Sequence, residues 1–458
     1  MIYCLNRQIL FLILFLIHSL ALAPLVWGGN AIDGIVIGPV HVISMEDGAI
    51  ASNRAVIVKR GVIDRVTSFE EVEDTPGLVH GRNGFLIPGL AEMHAHIPSR
   101  GRGEQYARDV LFLYLANGIS TARGMLGEPW HLELRDLLAN QDWPGPRLIT
   151  SGPSFNGRSV SSADQAALMV REQHSAGYDF LKLHPGLMPD EFAAIATAAN
   201  EAGIPFAGHV SFEVGLDAAF KFHQATIDHL DGYAEALVAA GSPLQGVAPE
   251  WFGINLAAAM DPDRAAQLAL STAHAGVWNV PTQSLLENLA GNQAVETLLG
   301  RPGMAYVSPG LKDRWANSVL TLRQQVPPDE RRLFLETRRA LIRELQDASA
   351  GLLLGSDAPQ IMNVPGFSIH EELLFMVRSG LSPLQALQSG TINVARFFGD
   401  KDRGDVKAGF VADFILLQKN PLDEISSSVG ILGVMRAGKW YGREQLDAML
   451  EEIESRGI

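Results

Sequence analysis

Strand-length apolar runs alternate with amphipathic helical stretches through most of this chain, and that alternation restricts the fold more than any other feature. Eight runs follow one another: Leu86-Ile87 leading into GLAEMHAHI, then residues 118–123, 146–152, 179–184, 205–210, 225–230, 277–282 and 351–357. The helices between them carry end signals. Ser162-Ala163-Asp164-Gln165 reads as a capping box, Pro189 suits a first helical position, and Gly177 and Gly203 suit the residue after a helix. Eight strand–helix units over about 300 residues predict a (β/α)8 TIM barrel, with a doubly wound open sheet as the rival. Residues 284–349 are longer than one crossover needs. With a helix expected at Pro328–Ala348, they read as an insertion that could form a lid.

The flanks have a different texture. Residues 30–87 contain short β-like runs such as Val40-His41-Val42-Ile43 and Ala55-Val56-Ile57-Val58, separated by turn-like Glu46-Asp47-Gly48 and Lys59-Arg60-Gly61. The pattern returns after residue 401, at Ala412–Leu417 and Val434–Lys439. The expected organisation is therefore a barrel over 88–400 and a small composite β-sandwich built from both chain ends, 30–87 and 401–458, with a terminal helix. Residues 1–29 read as a signal peptide: Arg7 precedes the unbroken apolar run Ile9–Ile17, and Ala21-Leu22-Ala23 offers a cleavage pattern. This predicts an exported protein, periplasmic or extracellular, free of the membrane once cleaved. An uncleaved anchor is the alternative.

Composition narrows the chemistry. The chain of 458 residues carries 36 basic and 51 acidic side chains, a formal net charge of −15, which argues against a nucleic-acid partner. Its single cysteine, Cys4, lies in the presumptive signal segment, so disulfides, cysteine-held zinc and a cysteine nucleophile are not expected. Any metal must be held by imidazole and carboxylate. His94 and His96 are the first candidates, because residues i and i+2 of a strand face the same side. Lys182, His209, His229 and Asp357 each fall at the end of a separate predicted strand, the rim where active sites of this barrel gather. Lys182 sits among Phe180, Leu181 and Leu183, where burial would depress its proton affinity and leave a nucleophilic amine. Reaction with carbon dioxide would turn that amine into a carbamate able to bridge two cations. A lysine neutralised by a carboxylate such as Asp179 is the alternative.

These stretches resemble the amidohydrolase superfamily, more narrowly its imidazolonepropionase/prolidase-like metal-dependent hydrolases. The likeness rests on FLIPGLAEMHAHI (85–97), NGISTARGM (117–125), GYDFLKLH (177–184), PFAGHV (205–210), ATIDHLDGY (225–233), VPT (280–282) and GSDAP (355–359), and on the blocks at 368–399 and 404–417. The resemblance implies a barrel with a composite β-sandwich. It further implies one divalent metal on His94, His96 and Asp357 and a second on His209 and His229, bridged by carboxylated Lys182 and a hydroxide. Asp357 would be the catalytic acid–base as well as a ligand, and zinc is the expected metal. The chain departs from the family pattern in reading Ile-Asp-His at strand six and Ala-Arg-Gly at strand two, changes expected to reshape the substrate pocket.

The expected reaction is hydrolysis of an amide bond in dipeptides or N-acyl amino acids. Lactonase, esterase or phosphotriesterase chemistry on the same site is the first alternative. A mononuclear deaminase would need a His-x-x-Glu element, whereas His209 and Glu213 stand one residue too far apart, and Lys182 would have no role. A metal-binding envelope protein without turnover would need a missing ligand or base. A substrate carboxylate would call for a cation near the rim, for which Arg123 and His184 are the candidates. The partner is a small-molecule substrate, with assembly into a homo-oligomer left open.

Overall fold

The structure is a computed structural model and describes residues 34–457. The expected signal peptide, 1–29, lies outside them. The chain begins with four strands, β1 (Ile35–Ile43), β2 (Ile50–Lys59), β3 (Val62–Ser68) and β4 (Val79–Pro88). Seven short strands alternate with helices through the middle: β5 (Leu90–Ala95), β6 (Ile119–Gly124), β7 (Arg147–Thr150), β8 (Leu181–Leu183), β9 (Phe206–Gly208), β10 (Thr226–Asp228) and β11 (Trp278–Val280). Three more, β12 (Phe414–Leu417), β13 (Ile431–Arg436) and β14 (Lys439–Gly442), precede a helix at Arg443–Arg456.

The two chain ends do pair. Strands β1–β4 and β12–β14 hydrogen-bond into one seven-stranded sheet of order β14-β13-β12-β4-β1-β2-β3, with β12 joined antiparallel to β4. The hydrogen-bonded ladder is continuous, and the Val62↔Val411 bridge ties its β3 edge to the segment before β12. Register shifts in β1 at Ile37/Val40 and Val40/Val42 interrupt its pairing with β2. One face packs Ile37, Val56, Leu86, Phe414 and Met435 into a common apolar cluster.

In the middle region β5-β6-β7 form one parallel ladder and β8-β9-β10-β11 another. The architecture is mixed α/β and TIM-barrel-like. The eight-stranded sheet expected from the sequence is not one closed ladder. The eighth run, 351–357, passes between β11 and β5 but makes only single bridges, Asn279↔Leu352 on one side and Ala95↔Ala358 on the other. The run is still hydrogen-bonded on both sides, the Leu353 amide to the Asn279 carbonyl and the Met93 amide to the Leu354 carbonyl, each at 2.9 Å. Glycine is needed at 355, where a Cβ would stand 2.6 Å from Val280 Cγ1 and 2.8 Å from the His94 nitrogen. The seam between β7 and β8 is likewise held by bridges, Ser151↔Phe180 and Phe155↔Leu183.

Helix ends follow the sequence signals. Ser162 accepts a hydrogen bond from the Gln165 amide at 3.2 Å, and Gln165 reaches back to the Ser161 amide at 2.8 Å. Gly177 and Gly203 close their helices at φ 85° and 71°, where only glycine is unstrained. The 284–349 segment is helical, ending in the long helix Pro328–Asp347. That helix buries Phe334, Leu335, Leu341, Ile342 and Leu345 in the main core. That helix is therefore a wall of the domain. No helix among the described residues is long and apolar enough to cross a membrane.

Candidate metal centre

The ends of β5, β8, β9, β10 and the 351–357 run converge on one spot. His94 and His96 share a side of β5, as alternation requires, with ring centroids 5.6 Å apart. Both meet Asp357: His96 Nε2 lies 2.7 Å and His94 Nε2 3.6 Å from Asp357 Oδ1. The His229 ring stands 4.5 Å from that of His94 and 4.7 Å from that of His209. His184 stacks on His209 at 5.0 Å. Ligand atoms of His94, His96 and Asp357 all lie within 4.8 Å of one another.

The backbone is strained to achieve this. His229, Thr282 and Asp357 have left-handed φ values of 61°, 47° and 64°. A non-glycine residue held there costs of order 1–3 kcal/mol, and such strain gathers where function demands a geometry. At β10 its effect is specific. Asp228 ends the strand, and the left-handed turn at His229 breaks the alternation, so that two consecutive side chains both reach His94. Asp228 Oδ2 is 3.0 Å from His94 Nδ1.

The imidazoles are oriented through Nδ1. His209 Nδ1 bonds Asp231 Oδ2 at 2.6 Å. His229 Nδ1 bonds Thr282 Oγ1 at 2.8 Å, and because the Thr282 hydroxyl donates to the Pro281 carbonyl, its oxygen must accept from the ring. Each ring thereby keeps its Nε2 lone pair free, the arrangement that partners of metal-bound histidines impose. Burial, reinforced by Lys182 and neighbouring imidazoles, holds His94 well below the ordinary imidazole range, and burial does the same to His229. The shift favours the neutral ring, the form that binds metal.

Polar atoms are left over at the centre. Lys182 Nζ, Asp357 Oδ1 and Asp228 Oδ2 are buried without a hydrogen-bond partner. Orphaned donors and acceptors on this scale are costly in a dry interior. An Nε2 lone pair facing a carboxylate oxygen at 2.7 Å is a repulsive contact unless a proton or cation lies between them. The donor set, imidazole and carboxylate with no thiolate, suits a divalent cation. Lys182 is fully buried, and burial lowers its proton affinity against the opposing pull of Asp228, whose Oδ2 lies 3.7 Å away. Asp179, the carboxylate expected to neutralise it, is bonded to Arg135 at 3.1 Å and to the Thr150 amide at 2.8 Å instead. Gly208 leaves room for the lysine: a Cβ there would stand 2.9 Å from Lys182 Nζ.

The two substrate candidates part company. His184 is half-buried beside His209 with its Nδ1 unpartnered, and burial followed by the Lys182 charge lowers it to about 2. It is a neutral ring facing the site. Arg123 is not a clamp at the rim. It is 1% exposed, donating to the Met93 carbonyl at 2.7 Å, Thr226 Oγ1 at 3.2 Å and Asp228 Oδ1 at 3.3 Å. Its strand turns it into the interior, beneath the imidazoles, where it neutralises Asp228. Burial alone would raise the Asp228 carboxyl, but Arg123 and then Lys182 outweigh it and hold it low. Asp228, the strand-six departure, thus lies against His94, Arg123 and Lys182.

Several contributors escape sequence reasoning. Glu92, two residues before His94, accepts from the His94 and Ser356 amides at 2.9 and 2.8 Å and ties β5 to the Asp357 loop. Asp228, Asp231 and Thr282 lie inside the quoted motifs but show their roles only through contacts. Nothing in the sequence marks Arg338.

The comparison with known proteins gives this geometry its setting. Residues 85–441 match the amidohydrolase family. This chain belongs to that family. It is a hydrolytic enzyme acting on amide bonds. The amidohydrolase has no match among curated protein sequences. Among solved structures it resembles a bottromycin amidohydrolase, 22% identical over 92% of this chain and 90% of that one, with a TM-score of 0.69. A Xaa-Pro dipeptidase with methionine bound in its active site is 17% identical, over 89% and 99% of the two chains, with a TM-score of 0.66. The ochratoxinase of A. niger is also 17% identical, over 90% and 96%, with a TM-score of 0.59.

Proposed function

We propose that this amidohydrolase is an exported, binuclear metal-dependent hydrolase that cleaves the amide bond of dipeptides or N-acyl amino acids. The observation that carries the reading is the convergence of His94, His96, His209, His229 and Asp357 around the unpartnered Lys182 amine. His94, His96 and Asp357 would hold one cation and His209 and His229 the other, and zinc suits so imidazole-rich a donor set. Bound there, a pair of divalent cations supplies an acidified water and polarises the scissile carbonyl.

The protein's own groups do the rest. Asp357 takes a proton from the attacking water and returns it to the departing amine, a role typically worth about 10²–10⁴-fold. Lys182, its proton affinity lowered by burial, would on losing its proton add to carbon dioxide through nitrogen, giving a carbamate anion. Asp231 and Thr282 fix the rings of His209 and His229. His184 stands where it can touch the substrate. The deaminase reading is disfavoured because Glu213, the residue nearest the required element, is exposed to solvent.

The test is a hydrolysis screen of zinc-reconstituted protein against dipeptides including Xaa-Pro, N-acyl amino acids, and lactones. The expected result is cleavage of one or more amide classes with kcat/KM at least tenfold above that for any lactone. A preference for neutral lactones would overturn the amide assignment and move the site to the esterase class.

A further inference from the structure

We infer that Arg338, on the helix Pro328–Asp347, is a positioning residue for the half of the metal centre built on His229, an inference that rests on the binuclear reading above. The residue is 5% exposed, and its guanidinium reaches the ends of two strands at once. Nη1 donates to the His229 carbonyl at 2.7 Å and Nη2 to the Pro281 carbonyl at 2.9 Å, while Nε donates to Gln283 Oε1 at 3.1 Å. All three acceptors are neutral. A buried guanidinium with no directly bonded carboxylate is an unfavourable choice for stability alone.

What it holds explains its presence. The His229 carbonyl belongs to a residue at φ 61°, and the Pro281 carbonyl precedes Thr282, at φ 47°. These two left-handed residues are joined through the His229 Nδ1–Thr282 Oγ1 bond that aims the ring. Arg338 therefore bridges, on the backbone side, the same pair that the ring bond joins on the site side. A planar fork with two parallel donors can fix the separation of two carbonyls, and a single ammonium cannot. Gln283, the third acceptor, is itself pinned: its amide donates to Glu372 Oε1 at 2.8 Å and its side chain to Glu287 Oε1 at 2.9 Å. The anchored network leaves Arg338 little freedom to follow a displaced His229. The helical insertion thus contributes to the site by bracing it from behind.

The experiment is zinc titration of the metal-free chain by calorimetry for wild type, Arg338→Met and Arg338→Lys, with thermal denaturation of each. In both variants the second equivalent is expected to bind about 10–100-fold more weakly while the first is unchanged, as for removal of a partner that orients a ligand. The lysine variant carries the test should the methionine variant not fold. Wild-type affinity for both equivalents in either variant would overturn the inference, since it would show that the fork is not required. Binding of only one equivalent by the wild type would instead overturn the binuclear reading itself.

Discussion

Replacement of Asp357 by asparagine is expected to leave the amidohydrolase folded and to lower kcat by at least about 10²–10⁴-fold. Asparagine keeps the shape of the side chain but cannot accept and return the proton. It is also a replacement the backbone tolerates, because Asp357 sits at φ 64° and asparagine enters the left-handed region more readily than most residues. Loss of charge next to His96 Nε2 and His94 Nε2 would weaken metal binding and add to the deficit. Steady-state rates on the best amide substrate, with thermal denaturation as the check on folding, decide it. Turnover within fivefold of wild type would remove Asp357 from the proposed chemistry.

The largest effect on stability is expected from Arg123→Met. The substitution leaves Asp228, which is fully buried, without its guanidinium, and it frees the Met93 carbonyl and Thr226 hydroxyl as well. Breaking a buried pair from one side costs about 3–5 kcal/mol, because an uncompensated charge remains. Urea denaturation should show that loss, and Arg123→Met with Asp228→Asn should recover part of it, as coupled neighbours do. A loss below about 1 kcal/mol would show that Asp228 is neutralised elsewhere, with Lys182 the remaining cation within reach.

What the sequence could show depended on whether a local rule carried the information. The His94–His96 pair was legible because a strand places i and i+2 on one side. The strand ends at Lys182, His209, His229 and Asp357 were legible because each closes an apolar run. Arg123 was not. Periodicity locates a residue on a strand but does not say whether its long side chain rises to the rim or folds into the interior, and here the buried Asp228 draws it inward. Asp228 and His229 defeat alternation altogether, since the left-handed turn between strand and loop cannot be read from an Ile-Asp-His string. The 351–357 run likewise has a strand-like composition yet joins its neighbours by single bridges and no extended ladder. Arg338 is the extreme case. It lies 109 residues from the carbonyl it holds, and only the folded chain brings the two together.

The proposed two-metal centre depends on Lys182. Metal analysis of the purified chain, reconstituted with zinc in bicarbonate-containing buffer and freed of excess metal, tests it most directly. About two equivalents per wild-type chain are expected, with at least one lost in a folded Lys182→Ala variant. A single equivalent in the wild type, unchanged by removal of Lys182, would contradict it.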